Sequence, residues 1–226
     1  MNSRLRGNGQ PARTPTRGRS SALCALTALM VVLLLCAPSL AGDDVTVVLG
    51  RPEVGKSVGQ AIYGSIRWNE QQSAKAALAV GVEYRHWFAN RFGIQVDYNR
   101  TNTNAVFDSI SIGGLLTFPV TRHEISGAVV RRFGRPESKL RPFFTMGPGV
   151  LLFDGGYAPG GNVGWSATPE LAAAGGMDRP LSRHLSFRIA YSVHFFRNTG
   201  FGDPQFHPGM ARLQQPTVGL SWKFWR

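Results

Sequence analysis

Apolar residues recur at every second position through much of this chain. The segments 78–88 (LAVGVEYRHWF), 92–100 and 185–195 each place mostly apolar side chains on one face and small, polar or charged ones on the other. A period of two is that of a β-strand, whose successive side chains point to opposite sides of the sheet. Gly, Pro and β-branched residues are spread throughout, and no long stripe with the helical period of 3.6 is present. The body of the chain is therefore predicted to be all-β.

The alternation divides the chain into eight predicted strands, of which 122–133, 140–153 and 165–177 are the least regular. Proline cannot donate a ladder hydrogen bond, so we expect Pro142 at the start of a strand and Pro148 at a bulge or kink. The predicted strands are 58–68, 76–88, 92–101, 122–133, 140–153, 165–177, 184–196 and 214–225.

A ninth apolar segment, 45–49, precedes these strands. It is interpreted as a short N-terminal extension. The alternative is that it is the true first strand and that 54–74 forms an elaborated loop.

The connections between the predicted strands alternate in length. Short turns fall at 89–91, 134–139 and 178–183, and long loops at 102–121, 154–164 and 197–213. An even number of strands joined in this way is typical of outer-membrane barrels. Strands of about ten residues or more cross the hydrocarbon when tilted, and closure is required because lipid cannot satisfy an open sheet edge. The prediction is a monomeric, eight-stranded antiparallel up-and-down transmembrane β-barrel.

The first 41 residues have a different composition. Five arginines and no acidic residue precede an apolar run at 22–35, and Pro38 and the small-residue site 39–41 follow. This order is that of a secretory signal peptide. Residues 42–226 are then expected to form one barrel domain. An uncleaved N-terminal anchor is the alternative, although a run of about fourteen residues is short for a membrane-spanning helix.

Removing the leader changes the charge and the cysteine content. The full chain carries +12, but without the five leader arginines the net charge is +7, from 20 basic and 13 acidic residues. Cys24 and Cys36 both lie in the leader, so the remaining chain has no cysteine. The high net charge is partly a property of the leader, and no nucleic-acid partner is predicted.

The less apolar face of the strands carries charges together with many Gly, Ala and Ser residues. In a soluble, lipocalin-like ligand-binding barrel this face would meet water, whereas in a membrane barrel it lines the interior. The second arrangement is favoured, because a narrow interior needs small residues and paired charges. Six residues are predicted to form a structural interior charge network: Glu83, Arg85, Glu124, Glu170, Arg188 and Lys223.

Aromatic residues gather near both ends of the predicted strands and suggest two interfacial girdles. Those near the short turns are Trp87, Phe88, Phe92, Phe133, Phe143, Phe144, Phe187 and Phe224. Those near the long loops are Trp68, Phe118, Phe153, Tyr157, Trp165, Phe195 and Phe196.

The order of several motifs resembles the small, barrel-only members of the OmpA-like superfamily of outer-membrane proteins. The motifs are GVEYRHWFANRFGIQVDY (81–98), RPFFTMGPGVLLF (141–153), LSFRIAYSVHFF (185–196) and PTVGLSWKFW (216–225). The resemblance implies outer-membrane lipid and the barrel-insertion machinery as partners, and no peptidoglycan-binding domain follows. In members of this superfamily the terminal strand usually ends on Phe, which looks like the signal for insertion into the membrane. Here Phe224 is followed by Trp225 and Arg226.

The chain carries no P-loop and no dinucleotide-binding fingerprint, and its five histidines lack the spacing of metal ligands. We therefore predict no catalytic, cofactor or metal site and place the histidines at interfaces or in loops. A lipid-modifying enzyme is the sharper alternative, with Ser192, His194 and Glu170 as its candidate residues. Alternation points Ser192 and His194 inward, and the Ser-before-His order is opposite to that of the lipid A deacylase pattern.

The predicted function is a structural or interaction role, with at most a narrow solute path, because an eight-stranded barrel has room for little more than side chains. An extracellular partner would bind the loops 102–121, 154–164 and 197–213.

Overall fold

The computed structural model describes residues 42–224, with gaps at 64–65, 110–113, 136–137, 156, 159–160, 163, 200–205 and 208. The predicted signal peptide, 1–41, lies outside the described residues. The described ranges contain no helix long and apolar enough to cross a membrane. Their strands are β1 (Asp43–Gly50), β2 (Glu53–Tyr63), β3 (Ile66–Ala74), β4 (Ala79–Trp87), β5 (Phe92–Ser109), β6 (Gly114–Arg132), β7 (Arg141–Asp154), β8 (Tyr157–Ala158), β9 (Gly161–Asn162), β10 (Trp165–Pro180), β11 (Leu185–Arg197), β12 (Phe206–His207) and β13 (Met210–Phe224).

Eight of these strands close into a ring. Each pairs antiparallel with the next in the order β1, β4, β5, β6, β7, β10, β11 and β13, and β13 returns to β1. Closure leaves no free edge among these eight strands, which is the condition for a sheet surrounded by lipid. The predicted eight-stranded antiparallel barrel is confirmed.

The first strand of the ring is β1, so the interpretation of 45–49 as an extension is wrong. All eight residues of β1 pair with β13 on one side and with β4 on the other. The predicted strand 58–68 instead spans parts of two strands, because β2 ends at Tyr63, β3 begins at Ile66, and the two pair antiparallel. This hairpin extends the sheet, since β2 also pairs with β13 and β3 with β5.

Two of the predicted long loops contain more strand than the sequence pattern indicates. The strands β5 and β6 remain paired from Phe92 with Arg131 to Ser109 with Gly114, so most of 102–121 is a continuation of the hairpin. Within 154–164, the short strands β8 and β9 pair with each other. The ring therefore has a short-turn end, at 88–91 and 181–184, and a long-hairpin end.

Near the short-turn end, apolar side chains point outward and charged ones point inward. On β13, Val218, Leu220 and Trp222 are about half exposed, while Ser221 between them is buried. The same outward positions on other strands are filled by Val47, Leu49, Val80, Val82, Ile94, Ile125, Val129, Phe144, Met146, Leu171, Met177, Ile189, Tyr191 and Phe195. A continuous exposed apolar belt of this kind is an interaction surface for lipid or protein, because water would disfavour it.

Near the long-hairpin end the polarity of the same strands is reversed. Buried apolar side chains fill the lumen there, namely Ala105, Phe118, Val120, Leu151, Phe153, Phe196, Ala211 and Leu213. The exposed outward positions there are mostly polar and include Arg100, Asn102, Asn104, Thr117, Arg197 and Arg212, although the apolar side chains of Val58, Leu78, Trp165 and Met210 are exposed as well. An apolar interior under a polar surface is the arrangement of a barrel in water. The polarity of the outer and inner faces thus changes along the length of the long strands.

The aromatic girdles are only partly realised. Five of the aromatic side chains predicted to face outward are buried: Trp87, Phe118, Phe143, Phe153 and Phe196. Neighbours in a strand face opposite ways, so Phe143 and Phe144 cannot both point outward, and neither can Phe195 and Phe196. The side chains of Trp68 and Tyr157 lie outside the described residues.

Gly147, on β7, lies in close contact with the backbone of β6. The β6–β7 pairing is interrupted between Ser126 and Val129, next to this glycine. A Cβ atom at position 147 would collide with the carbonyl oxygen of Gly127 and lie 2.6 Å from Ala128 Cα. Neither neighbour can yield easily because both are backbone atoms.

We predict that Gly147→Ala destabilises the barrel by on the order of 3 kcal/mol, through steric overlap with β6. Gly175→Ala is the matched control, since a Cβ at Gly175 meets nothing within 4 Å. The urea midpoint of the detergent-folded protein measures the effect. Equal midpoints for the two variants would contradict the close approach.

Candidate functional site

A cluster of ion pairs fills the lumen near the short-turn end, with Arg188 of β11 at its centre. Arg188 Nε donates to Asp178 Oδ1 at 2.7 Å, and its Nη2 lies 3.3 Å from Asp44 Oδ1. Its Nη1 donates to Glu83 Oε2 and to Thr46 Oγ1. Each of these partners is buried. A guanidinium fits such a site because its five N–H groups stay charged and can address several oxygens.

Arg85 of β4 completes this cluster from the opposite wall. Its Nη1 lies 3.5 Å from Asp178 Oδ2 on β10, and three strands of the ring separate β4 from β10 in either direction. Its Nε donates to Gln95 Oε1, and the Phe143 ring lies under the guanidinium at 4.0 Å. The pair Arg85–Asp178 therefore crosses the whole width of the lumen.

A second cluster lies further toward the long-hairpin end. His194 of β11 has its Nδ1 at 3.1 Å from Glu170 Oε2 and at 3.7 Å from Glu124 Oε1. Its Nε2 lies 2.9 Å from Ser192 Oγ, and Asn99 Nδ2 donates to Glu124 Oε1 at 3.1 Å. All three ionisable side chains are buried, although they come from three strands.

A short chain of hydrogen bonds lies between the two clusters. Gln95, which accepts from Arg85, donates to Asp97 Oδ1 at 2.6 Å. Ser126 Oγ donates to Asp97 Oδ2 at 3.1 Å. Ser126 lies on the same inward face of β6 as Glu124. Polar side chains, together with the buried apolar cluster of Trp87, Val130, Phe143 and Ala190, thus fill the lumen from the short-turn end to the second cluster.

The six residues of the predicted charge network do not form one group: five are divided between the two clusters, and Lys223 lies apart from both. Glu83, Arg85 and Arg188 meet in the first cluster, whereas Glu124 and Glu170 lie beside His194 rather than beside an arginine. Lys223 is half-buried, and no described residue forms an ion pair with its side chain.

Three residues that complete the clusters, Asp44, Asp178 and His194, were absent from the predicted charge network. Asp44 lies on β1, which was interpreted as an extension, and Asp178 lies one residue beyond the predicted end of its strand, 165–177. His194 was expected at an interface or in a loop but is 3% exposed inside the lumen. Extending the alternation by a few residues at 45–49 and at 177 would have placed Asp44 and Asp178 on the inner face.

Ser192, His194 and Glu170 have the hydrogen-bond order of a serine hydrolase triad, with Ser Oγ at Nε2 and the carboxylate at Nδ1. The cavity that Ser192 and His194 line has a volume of about 40 Å³, which is room for about one water molecule and not for an acyl chain. The long-hairpin side of the lumen is filled by the apolar cluster around Phe118 and Leu151. An enzyme that modifies lipid would need these residues to be exposed to its substrate, whereas here they lie inside the lumen.

Comparison with family models and with curated protein sequences finds no match. Solved structures do match the fold. OprG of Pseudomonas aeruginosa, an outer membrane protein, gives a TM-score of 0.57 at 14% identity over 82% of this chain and 97% of its own. Neisserial surface protein A gives 0.56 at 10% identity, covering 80% of this chain and 97% of its own. The outer membrane protein AlkL, solved in lipid bilayers, gives 0.50 at 14% identity over 97% of each chain.

These likenesses confirm the fold that the resemblance to small OmpA-like barrels implied. At identities of 10–14% they establish the architecture alone.

We predict that Arg188→Ala destabilises the barrel by about 3–5 kcal/mol, because it leaves the buried carboxylates of Asp44, Glu83 and Asp178 with too little positive charge. The control is Arg179→Ala, which removes an exposed outward arginine near the same end of the barrel and should change stability by less than about 0.5 kcal/mol. Urea titration in detergent compares the two. If Arg188→Ala unfolds at the same urea concentration as the parent protein, the first cluster has no stabilising role.

Proposed function

We propose that this protein is a monomeric barrel of the bacterial outer membrane, exported by its N-terminal signal, with a structural or interaction role and no open pore. The observation that carries the proposal is the reversal of polarity along the strands. An apolar exterior around a charged interior suits lipid, and a polar exterior around an apolar interior suits water. Both arrangements occur on the same strands, so the barrel suits a position across a membrane boundary with its long-hairpin end in water.

The lumen supports a closed barrel rather than a channel. Arg85 and Asp178 join opposite walls near the short-turn end, and Phe118, Phe153 and Leu213 belong to the apolar cluster at the other end. A solute path would require separating buried ion pairs and then dissociating packed aromatic side chains. Each step carries a cost of several kcal/mol. The narrow pore remains the alternative that this geometry disfavours.

The soluble lipocalin-like alternative is supported less well by the same observations. Such a barrel keeps an apolar cavity for its ligand and a polar exterior. Here two cavities lined by described residues measure about 40 Å³ and 30 Å³, and the outward residues Val218, Leu220 and Trp222 are about half exposed. Neither cavity accommodates a ligand larger than a few atoms.

An interaction role is assigned to the long-hairpin end. The hairpin β2–β3 and the extensions of β5 and β6 lie beyond the apolar belt and expose Lys56, Asn102 and Asn104. Backbone hydrogen bonds hold them in place, so they offer a preformed surface to an extracellular partner. Lipid and the insertion machinery are the partners expected of the belt and of the terminal strand.

We predict that the protein forms no ion channel in planar lipid bilayers. Folding is first checked by electrophoresis in SDS, in which a closed barrel that has not been boiled migrates differently from the boiled chain. The folded protein should then give no stepwise current at neutral pH, because the lumen is closed by ion pairs and by apolar packing. Regular single-channel steps from this material would contradict the closed barrel and favour the narrow pore.

A further inference from the structure

The second cluster is short of positive charge. Glu124 on β6, Glu170 on β10 and His194 on β11 each place one donor atom within 4.8 Å of the other two, and their side chains are 0–4% exposed. Two carboxylates thus meet one imidazole away from water. Arg122 is buried near the cluster and attracts Glu124 and Glu170 electrostatically. Its Nη2 donates to Thr101 Oγ1, and no described acidic residue lies within ion-pair distance of its guanidinium.

The hydrogen bonds around His194 indicate which ring nitrogen is free. Ser192 Oγ lies 3.4 Å from the carbonyl oxygen of Gln215 and 2.9 Å from His194 Nε2. When Ser192 donates to that carbonyl oxygen, its own oxygen accepts from the His194 Nε2–H. In the neutral ring, Nδ1 then carries the lone pair. That lone pair faces the oxygens of Glu170 and Glu124. Three electron-rich atoms in this position need either a proton on Nδ1 or a metal ion between them.

Two carboxylate oxygens at this site also lack partners. Glu124 Oε2 and Glu170 Oε1 have no hydrogen-bond partner among the described residues, although their side chains are 2% and 0% exposed. A buried carboxylate oxygen without a partner carries a large desolvation cost, which a cation bound through both oxygens of the same carboxylate would reduce.

From this geometry we propose that Glu124, Glu170 and His194 bind a divalent transition-metal cation of the Zn²⁺ type inside the barrel. One imidazole and two carboxylates form a donor set suited to Zn²⁺ and its neighbours, whereas Ca²⁺ and Mg²⁺ prefer oxygen ligands alone. Ligands at about 2.0–2.1 Å around a tetrahedral ion lie about 3.3 Å apart. The distances from His194 Nδ1 to Glu170 Oε2 and to Glu124 Oε1, 3.1 Å and 3.7 Å, bracket that value.

The surroundings supply the remaining parts of such a site. Glu124 and His194 line the 40 Å³ cavity, which has room for a water molecule as fourth ligand. Ser192 holds the other ring nitrogen of His194, and Asn99 holds Glu124 Oε1. Outer contacts of this kind orient metal ligands and fix the tautomer of the histidine. A bound ion would join β6, β10 and β11 across the lumen, and this role does not depend on where the barrel resides.

The test uses Co²⁺, which reports tetrahedral coordination by its visible absorption, on protein without a polyhistidine tag that has been treated with a chelator in detergent. We expect one equivalent of Co²⁺ to bind the wild type and to be displaced by Zn²⁺. His194→Ala and Glu170→Gln should weaken binding at least tenfold. His184→Ala is the control, because His184 is an exposed residue of the short-turn end that lies beside Lys223 and should bind as the wild type does.

Absence of the Co²⁺ absorption in folded wild-type protein, or equal binding by His194→Ala, would overturn the proposal and leave a protonated His194 as the cation of the cluster. Electrophoresis without boiling shows which variants fold. If the variants do not fold, X-ray absorption spectroscopy of the Zn²⁺-loaded wild type identifies the ligands of the ion and so tests the site. One imidazole with oxygen ligands supports the site, and two or more imidazoles, or oxygen ligands alone, exclude it.

Discussion

Ion pairing across the lumen is the interaction on which the rest of this barrel depends. A ring of eight strands leaves an interior filled by side chains, and those of Arg85 and Arg188 are 0–1% exposed there. Isolated guanidinium groups in such surroundings would be strongly unfavourable, so Asp44, Glu83 and Asp178 must stand opposite them. These five side chains come from β1, β4, β10 and β11. Backbone hydrogen bonds determine which strands are neighbours, and the ion pairs in addition determine which strands face one another across the lumen.

The same strands that carry these charges change character along their length. Lipid accepts apolar side chains outside and leaves charged ones to the lumen, while water reverses both preferences. The reversal between the apolar belt and the long-hairpin end explains why β5 and β6 extend well beyond what a membrane requires. In the proposed membrane position this extension lies in water and continues the ring, and its interior packing of Phe118, Leu151 and Phe153 gives the exposed hairpins a rigid base.

The sequence pattern was sufficient for the ring and insufficient for its details. Period-two alternation is a strong signal where one face is apolar, as in 185–195, and it correctly predicted antiparallel strands and inward charges at Glu83 and Arg188. It failed at 45–49, because a five-residue strand is too short to be told from an extension, and at 58–68, because the boundary between β2 and β3 lies inside an alternating segment. It also failed for Phe118 and Phe153, since periodicity alone does not tell which face is inside once the surroundings change.

The candidate site was harder to predict than the ring. Glu124, Glu170 and His194 lie on three strands, and their convergence depends on register, which a shift of one residue would reverse. Histidine spacing along the chain therefore carried no signal for the metal-type donor set. Ser192 and His194 were correctly placed on one face, but the partners of Nδ1 came from strands distant in sequence.

The most direct test of the account is to map the membrane boundary along one strand. Residues 42–226 contain no cysteine, so single cysteines carrying a spin label can replace Arg212, Val218 and Leu220 on the outward face of β13. In liposomes, labels at 218 and 220 should collide with oxygen and be shielded from a water-soluble nickel complex, whereas the label at 212 should show the opposite preference. Equal access of the nickel complex to all three positions would contradict a barrel that crosses from lipid into water.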